Sequence, residues 1–326
     1  MAIAMTAGPA TTRFPAPTSG SGAALVADVG GTHTRLALAT DAPLGLHDIR
    51  VFPTPSGSLL PLAREYLADA GRRVDRCAVA AAGRIRRERG GECVTLTNVA
   101  LDIDVSQLRE LAPTAVLVND LAAVASALPF FAAGDLLDLD ACGDALQGAR
   151  LVLGVGTGIG AAVRLADGAL LETEAGHVEL AAPIPSHRGW IETLQGGRAS
   201  AEQLLAGPGL VRLHAQVSGE RDVAVATLVA RARDDDAVAR ATLRAYADWL
   251  GRFAGDLALA YGAWAGVHLI GGVISGLGDM LDASAFRAGM VDKARFGDEL
   301  ARVPVRRILH PQPALLGLAA LAFDKP

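Results

Sequence analysis

The sequence contains little cysteine and no long run of positive charge, and both shortages exclude classes of protein. Three of its 326 residues are cysteines, Cys77, Cys93 and Cys142, and they are widely spaced. An odd, scattered set excludes a disulfide framework and a cysteine-rich zinc site, so we expect a cytoplasmic protein in a reducing environment. The net charge is −5 and no basic stripe is present, so we expect no nucleic-acid partner.

Long apolar runs are also scarce, with one stretch that resembles a membrane span. Residues 257–278 contain no Asp, Glu, Lys or Arg, but six glycines and His268 interrupt them. They divide into a helix end, a short strand and a Gly-Gly turn, so we expect no membrane partner. Residues 1–22 lack the charged start and continuous apolar core of a secretory signal, and their composition predicts a disordered tail.

The sequence does contain an alternation of short apolar runs and helical segments. Hydrophobic residues make up 51% of the chain and charged residues 20%, a globular composition with room for roughly two domains of ~150 residues. "ALVADV", "RLALA" and "HDIRVF" predict strands that precede a helix around "LLPLAREYLADAG". Apolar residues at a spacing of three to four predict a long amphipathic helix over 241–263. The pattern favours an α/β fold.

Two glycine-rich loops each stand between apolar runs, in "LVADVGGTHTRLALAT" (25–40) and "LVLGVGTGIGAAVRL" (151–165). One unit that occurs twice suggests a duplicated domain. The second loop satisfies the dinucleotide pattern G-x-G-x-x-[GA], but a predicted hairpin follows it where that pattern needs a helix. The chain also has no G-x-x-x-x-G-K-[ST] loop and no H-R-D-type loop. These observations disfavour a dehydrogenase, a P-loop enzyme and a protein kinase.

Each glycine loop alone could be a simple turn, because short motifs give many false matches. Together they predict the two halves of a phosphate site, since glycine lets backbone N–H groups approach an anion closely. Thr32 and Thr157 can each add a hydroxyl donor, and Asp28 supplies a carboxylate for a phosphate-bound Mg²⁺. We therefore predict that the two loops enclose a polyphosphate.

Several polar residues have both a structural and a functional interpretation. Asp120 follows the strand-like run "AVLVN", where it could cap the next helix or face the crevice in which α/β proteins bind ligands. Glu174 and His177 could share a helical face, although Gly176 and the flanking strands favour a loop. No further Cys or His follows at ligand spacing, which argues against zinc.

Glu202 lies at the start of a predicted helix. Ser200 and Gln203 form a plausible capping box, which would make Glu202 a first-turn acid favoured by the helix dipole. Glu202 therefore has a structural explanation in the helix start, and a role in binding a ligand is the alternative.

In order along the chain, these segments resemble the ATP-dependent bacterial glucokinase family, within the actin-like sugar kinases. The resemblance runs from about residue 23 to the C-terminus. The motifs that carry it are "LVADVGGTHTRLAL", "TLTN", "VNDLAAVASALP", "LGVGTGIGAAV", "EAGHVELA", "SAEQLLAGPGLVRL", "GRFAGDLALAYGAWAGVHLIGGV", "ASAFRAGMVDKARF" and "HPQPALLGLAAL". It implies two actin-like (ribonuclease-H-like) α/β domains with a substrate cleft between them. The implied smaller domain is 23–128 plus 311–326, and the larger is 129–310.

The resemblance also implies roles for individual residues. Asp120 matches the catalytic base, and Asp28 would lie on the metal side. The residues that match sugar ligands are Asn98, Asn119, Asp120, Glu174, His177 and Glu202. The residues that match the nucleotide site are Ala27, Asp28, Val29, Gly30, Gly31, Thr32, Gly156, Thr157, Gly158, Gly271 and Gly272.

The activity implied by the resemblance is transfer of the γ-phosphoryl group of ATP to the 6-hydroxyl of glucose, with Mg²⁺, by a cytoplasmic homodimer. Another hexose, or polyphosphate as donor, remains an alternative. A sugar-sensing regulator that keeps the pocket without catalysis is less favoured. Such proteins usually add a helix-turn-helix, and residues 1–22 are too short and helix-poor to form one.

Three places depart from the family pattern, and one of them is "AAGRI", which lacks the proline usual near that strand. His33 stands where the family usually has Asn, which affects a contact beside the phosphate loop. Ala175 replaces the first glycine of a Glu-Gly-Gly-His stretch, and this predicts a narrower sugar pocket or a shifted substrate preference. The segment after His177 has no cysteine, unlike the related ROK sugar kinases, so we place the chain outside the ROK group.

Overall fold

The computed structural model of the chain describes residues 22–88, 91–96, 99–140, 146–180, 191 and 199–324. Asn98, Cys142 and residues 1–21 of the predicted tail lie outside these described residues. The predictions made for them are therefore not addressed by the structure.

The described residues form a mixed succession of strands and helices, with several strands or several helices often following one another. The strands are β1 (Ala24–Val29), β2 (His33–Thr40), β3 (Gly45–Pro53), β4 (Arg76–Ala81), β5 (Arg86–Glu88), β6 (Gly91–Leu96), β7 (Leu101–Asp104), β8 (Thr114–Asn119), β9 (Leu136–Asp138), β10 (Arg150–Val155), β11 (Ile159–Arg164), β12 (Leu170–Thr173), β13 (Gly266–Ile270) and β14 (Val305–Ile308). The helices described are α1 (Leu60–Asp69), α2 (Val105–Leu108), α3 (Asp120–Ala127), α4 (Ala201–Leu205), α5 (Gly207–Ser218), α6 (Val225–Arg233), α7 (Ala237–Tyr261), α8 (Gly272–Leu277), α9 (Ala283–Val291), α10 (Gly297–Ala301) and α11 (Pro313–Ala322).

Two mixed sheets share one layout. Their strand orders are β3-β2-β1-β4-β8 and β12-β11-β10-β13-β14-β9. In each sheet an antiparallel hairpin, β1–β2 or β10–β11, pairs through its first strand with a parallel strand, β4 or β13. The repeat of strand, glycine loop and strand therefore corresponds to two matching sheets, and the predicted α/β class is confirmed. The small third sheet, β5-β6-β7, was not predicted from the sequence.

Helix α3 connects the two sheets, because it packs against β8 and β4 of the first and against β10, β11 and β12 of the second. It also packs along α11, and Gly317 permits this approach because a side chain there would clash with the Ala123 carbonyl oxygen. The first sheet draws all its strands from residues 23–128 and the second from 129–310. The domain boundaries themselves stay predictions.

The apolar stretch 257–278 divides as predicted into the end of α7, strand β13 and a glycine turn before α8. No helix among the described residues is both long enough and apolar enough to cross a bilayer.

Candidate active site

A cleft of about 980 Å³ is lined by residues of both sheets. The residues predicted for the site that line it are Asp28, Asn119, Asp120, Gly156, Thr157, Gly158, Glu174, His177, Glu202 and Gly271. The predicted residues that lie outside this lining are Ala27, Val29, Gly30, Gly31, Thr32 and Gly272. Residues that are far apart in sequence, from 28 to 271, therefore meet at one cleft.

The first glycine loop is the turn of the β1–β2 hairpin. The Gly30 N–H donates to the His33 carbonyl oxygen at 3.0 Å, and the Thr54 hydroxyl donates to the Gly30 carbonyl oxygen at 2.6 Å. Gly31 and Thr32 are exposed at the tip. Because His33 closes the turn through its carbonyl group, the change from Asn to His leaves this closure intact.

Ala27 and Val29 are fully buried in β1 and do not line the cleft, so their place in the nucleotide site stays a prediction. Asp28 lies between them with a side chain that is 20% exposed, since successive strand residues point to opposite faces. Its partner Arg35 is directly opposite in the hairpin register, and Nη1 lies 3.4 Å from Oδ2 of Asp28. Arg35 lines the cleft and was missed from the sequence, although pairing the predicted strands across the turn would have found it.

The second glycine loop joins β10 to β11. The Gly156 N–H donates to the Gly158 carbonyl oxygen at 2.9 Å, and the Gly207 N–H donates back to the Gly156 carbonyl oxygen at 2.8 Å. Nearby, Gly271 has φ +113°, and a side chain there would clash with the Val155 carbonyl oxygen. Glycine is therefore required at Gly271 for both its backbone conformation and the available space.

Glu202 connects the second loop to helix α4. Its Oε2 accepts the Ile159 N–H at 3.0 Å, and a Cβ on Gly158 would lie 2.6 Å from the same oxygen. The predicted capping box of Ser200 and Gln203 is confirmed, and Glu202 lies in the first turn of α4. The first turn of α4 therefore points the Glu202 carboxylate at the loop, and its role as a sugar ligand stays a prediction.

Asn119, and not Asp120, caps helix α3. Oδ1 of Asn119 accepts the N–H groups of Leu121 at 2.9 Å and Ala122 at 3.4 Å. The capping interpretation of Asp120 is therefore wrong. Asp120 is the first helical residue, where its Oδ1 also accepts the Leu121 N–H at 2.9 Å. With the cap supplied by its neighbour, the Asp120 carboxylate is placed at the cleft wall.

Burial, and to a smaller extent the nearby negative charge of Asp28, together raise the pKa of Asp120 to about 6. Burial also raises the pKa of Asp28, whereas Arg35 acts to lower it. A carboxylate with a pKa close to the working pH is a better proton acceptor than an ordinary one. Asp120 therefore has the electrostatic environment of a general base.

The side-chain nitrogen and the backbone N–H of Asn119 also have partners. Its Nδ2 donates to the Gly83 carbonyl oxygen at 3.1 Å, and its backbone N–H donates to Glu172 Oε1 at 2.8 Å. Asn119 thus fixes the junction between β8 and α3. Its role as a sugar ligand stays a prediction, as does that of Asn98.

Glu174 precedes and His177 ends a single 3₁₀ turn, Ala175–His177, between β12 and α4, so no helix longer than this turn forms here, but the turn brings the two side chains to the same side. Their side chains are 56% and 64% exposed, with Oε2 and Nε2 4.0 Å apart. Ala175 is buried in the core of the second sheet and is absent from the cleft lining. Gly176 is the position that excludes a side chain, because a Cβ would clash with the Ile159 carbonyl oxygen.

The cleft is also lined by residues to which the sequence analysis assigned no role. Among them are Arg35, Ala82, Gly83, Thr173, Ser275, Arg307, His310 and Gln312. Arg307 is held by a hydrogen bond from its Nη1 to the Gly278 carbonyl oxygen at 2.8 Å.

The acidic residues of the cleft fit a phosphate-bound Mg²⁺ better than a protein-enclosed metal. Among the described residues, no group of three or more His, Cys, Asp or Glu side chains could hold a metal ion. Mg²⁺ in phosphoryl-transfer sites takes one or two carboxylates and completes its shell with phosphate oxygens and water. The partly exposed carboxylate of Asp28 meets that requirement.

Two matching α/β sheets with a cleft between them are the architecture of the actin-like sugar kinases, and the chain has the fold of that class. The model of the glucokinase family matches residues 25–325, and the chain belongs to that family.

Individual relatives agree with this assignment. The chain is 38% identical over 325 residues to a glucokinase of Aromatoleum aromaticum, covering 92% of this chain and 94% of that protein. It is 35% identical over 322 residues to a glucokinase of Stenotrophomonas maltophilia, covering 92% and 95%. A crystal structure of glucokinase from an Antarctic psychrotroph superimposes with a TM-score of 0.82 at 31% identity, covering 93% and 99%. The resemblance inferred from the nine motifs is thereby confirmed.

Proposed function

We propose that the protein transfers the γ-phosphoryl group of ATP to the 6-hydroxyl of glucose, giving glucose 6-phosphate and ADP. The observation that carries this proposal is the placement of Asp120. Asp120 has a pKa raised to about 6, and it lines the same cleft as the second glycine loop and the acidic residues Glu174 and Glu202. A base at this point can serve a hydroxyl group presented to a phosphate donor.

On the sugar side, we assign hydroxyl recognition to Asn119, Glu174, His177 and Glu202, with Asn98 as a further predicted ligand. Carboxylates and imidazole hold sugar hydroxyls by directional hydrogen bonds, which fix the ring and favour one reacting hydroxyl. Three of these side chains arise from two neighbouring structures, the turn after β12 and the first turn of α4. Their common origin on the second sheet's side supports a single sugar pocket.

On the nucleotide side, we assign the phosphates to the backbone of residues 27–32 and 156–158, and the adenosine to Gly271 and Gly272. Within the described cleft lining, the permanent positive charges are Arg35 and Arg307. Arg35 is beside Asp28, so it would face the phosphates and offset the charge of the transferred group. Asp28 would hold Mg²⁺ directly or through water, and the bound ion would neutralise charge on the phosphate oxygens.

In the reaction, the sugar 6-hydroxyl lies in line with the γ-phosphorus. The Asp120 carboxylate accepts the hydroxyl proton while the new O–P bond forms and the bond to the β–γ bridging oxygen breaks. The glycine loops stabilise the transferred charge through N–H groups that are already oriented. Closure of the cleft would exclude water and limit ATP hydrolysis. We further propose, from the family, that the enzyme is a cytoplasmic homodimer.

The test is an assay of the purified protein with a panel of hexoses, each with ATP and with polyphosphate. We expect glucose-dependent ADP release, confirmed by detection of glucose 6-phosphate. Faster turnover with mannose or fructose would change the assigned sugar, and turnover with polyphosphate alone would change the donor. No sugar-dependent ADP release with any hexose would overturn the proposed activity.

A further inference from the structure

Two sheet edges meet beside the proposed base. Strand β8 is an edge of the first sheet and β12 is an edge of the second. Glu172 on β12 reaches across, and its Oε1 accepts the backbone N–H of Asn119 at 2.8 Å. Edge strands leave backbone groups without sheet partners, so this carboxylate satisfies a donor that the first sheet cannot.

Glu172 also contacts the third sheet. Its Oε2 lies 3.6 Å from Nη1 of Arg87 on β5, and its side chain is 18% exposed. Arg87 is held from its other side by Glu92, with Nε and Oε1 3.0 Å apart. One largely buried carboxylate therefore links all three sheets at the end of β8.

A second attachment follows immediately in sequence. The Leu121 side chain fits against the flat surface of Gly154 and Gly160, where added Cβ atoms would lie 2.9 and 2.7 Å from its Cδ1. These glycines belong to β10 and β11 of the second sheet. Asp120 is thus bracketed by Asn119 and Leu121, both of which are fastened to the second sheet.

We propose that Glu172 is a positioning residue for Asp120, acting through the Asn119 N–H to fix where the base stands relative to the sugar hydroxyl. This inference rests on the proposed function. Glu172 and Glu174 are two residues apart, so β12 and the turn that follows it supply both the residue that positions the base and a residue of the proposed sugar pocket. Removing the Glu172 carboxylate frees the end of β8, because a second cavity of about 510 Å³ lies beside it.

The experiment compares Glu172→Ala, Glu172→Gln and Glu92→Gln. Gln at 172 keeps an acceptor for the Asn119 N–H but loses the charge facing Arg87, whereas Ala loses both. Glu92→Gln is the matched control, since it removes the other partner of Arg87 and has no role at Asn119. We measure kcat and glucose KM. The concentration of active enzyme used for kcat is the concentration of glucose-binding sites found by calorimetry, so that misfolded protein does not lower kcat.

We expect Glu172→Ala to lower kcat by about tenfold or more, because a misplacement of about 1 Å in a reacting group is costly, while glucose KM changes less than about twofold. Glu172→Gln and Glu92→Gln should stay within about threefold of the wild type. Normal kcat in Glu172→Ala would overturn the proposal. An equal loss in Glu172→Gln would overturn it too, because the Arg87 ion pair would then be the important contact.

Hydrogen exchange provides a readout that needs no activity. The peptide covering residues 114–122 should exchange faster in Glu172→Ala and at the wild-type rate in the other two variants. If the wild type phosphorylates no hexose, the proposed function fails while this exchange still reports on the junction. Unchanged exchange in Glu172→Ala would show that Glu172 does not hold β8, and the positioning role would be rejected.

Discussion

Asp28 and Asp120 lie on neighbouring parts of the cleft wall, and the negative charge of Asp28 adds to the effect of burial in raising the pKa of Asp120 to about 6. Arg35, directly across the hairpin from Asp28, opposes the rise in the pKa of Asp28 itself. The two carboxylates in the cleft therefore have different partners, since Asp28 pairs with Arg35 and Asp120 accepts a backbone N–H. Such a division lets one acid face a metal and phosphates while the other takes a proton.

The Asp120→Asn variant tests the assignment of the base. We expect kcat to fall by about 10²–10⁴-fold, which is the usual contribution of a general base. Sugar binding should survive, because Asn retains the shape of the side chain and the proposed sugar contacts of Glu174, His177 and Glu202 are untouched. Steady-state kinetics and glucose titration by calorimetry give the two quantities. Near-normal turnover in this variant would mean that another group accepts the proton.

The pH profile tests the pairing of the two acids. A base with a pKa of about 6 in the free enzyme must be ionised to act, so kcat/KM for glucose should fall as the pH drops below about 6. Asp28→Asn removes the charge that helps to raise this pKa, and the acidic limb should therefore move to lower pH. The variant should also need more Mg²⁺ for half-maximal activity.

Asp69→Asn is the control for this profile, because Asp69 is 66% exposed and pairs with Arg50 on the surface. Its acidic limb should match that of the wild type. A limb that stays in place or moves to higher pH in Asp28→Asn would contradict the electrostatic coupling, whatever the change in overall rate.

Much of the fold followed from local patterns. "ALVADV" predicts β1 at the observed residues, because an apolar run bounded by a glycine turn has one natural partner across the hairpin. The helix predicted over 241–263 corresponds to α7, which is observed over Ala237–Tyr261. The helix begins four residues before the predicted start and ends two residues before the predicted end. The small sheet β5-β6-β7 was missed, because its strands are short and carry charges on exposed positions.

The site was harder to predict than the fold, since its contacts join distant segments. Asp120 was found at a strand end, yet its capping role belongs to Asn119, and only the observed geometry separates two adjacent polar residues. Glu172 showed no motif at all, because its significance depends on a backbone N–H that lies 53 residues away in sequence. Gly158 matched a loop pattern, but the reason for glycine there is the oxygen of Glu202.

The raised pKa of Asp120 also predicts a pH-dependent contribution to stability. The pKa is about 6 in the folded chain and about 3.9 in an unfolded one, so the protonated carboxyl contributes stability below about pH 4. That contribution is lost as the pH rises through about 6. Asp120→Asn cannot ionise, so its free energy of unfolding should increase relative to the wild type by about 1–3 kcal/mol between pH 4.5 and 7.5. Urea unfolding at both pH values measures this, and an unchanged difference would argue against the raised pKa.

Gly158→Ala tests whether Glu202 acts from the position that the second loop gives it. An added Cβ would lie 2.6 Å from Oε2 of Glu202, so the carboxylate must leave the Ile159 N–H and its place in the cleft. Losing one charge-assisted hydrogen bond to the sugar should raise glucose KM by about 10–100-fold. Gly276→Ala is the matched control, because no heavy atom lies within 4 Å of the added Cβ. Glucose KM and MgATP KM are measured for both variants, and a rise confined to MgATP would show that the loop acts on the nucleotide alone and that Glu202 does not bind the sugar.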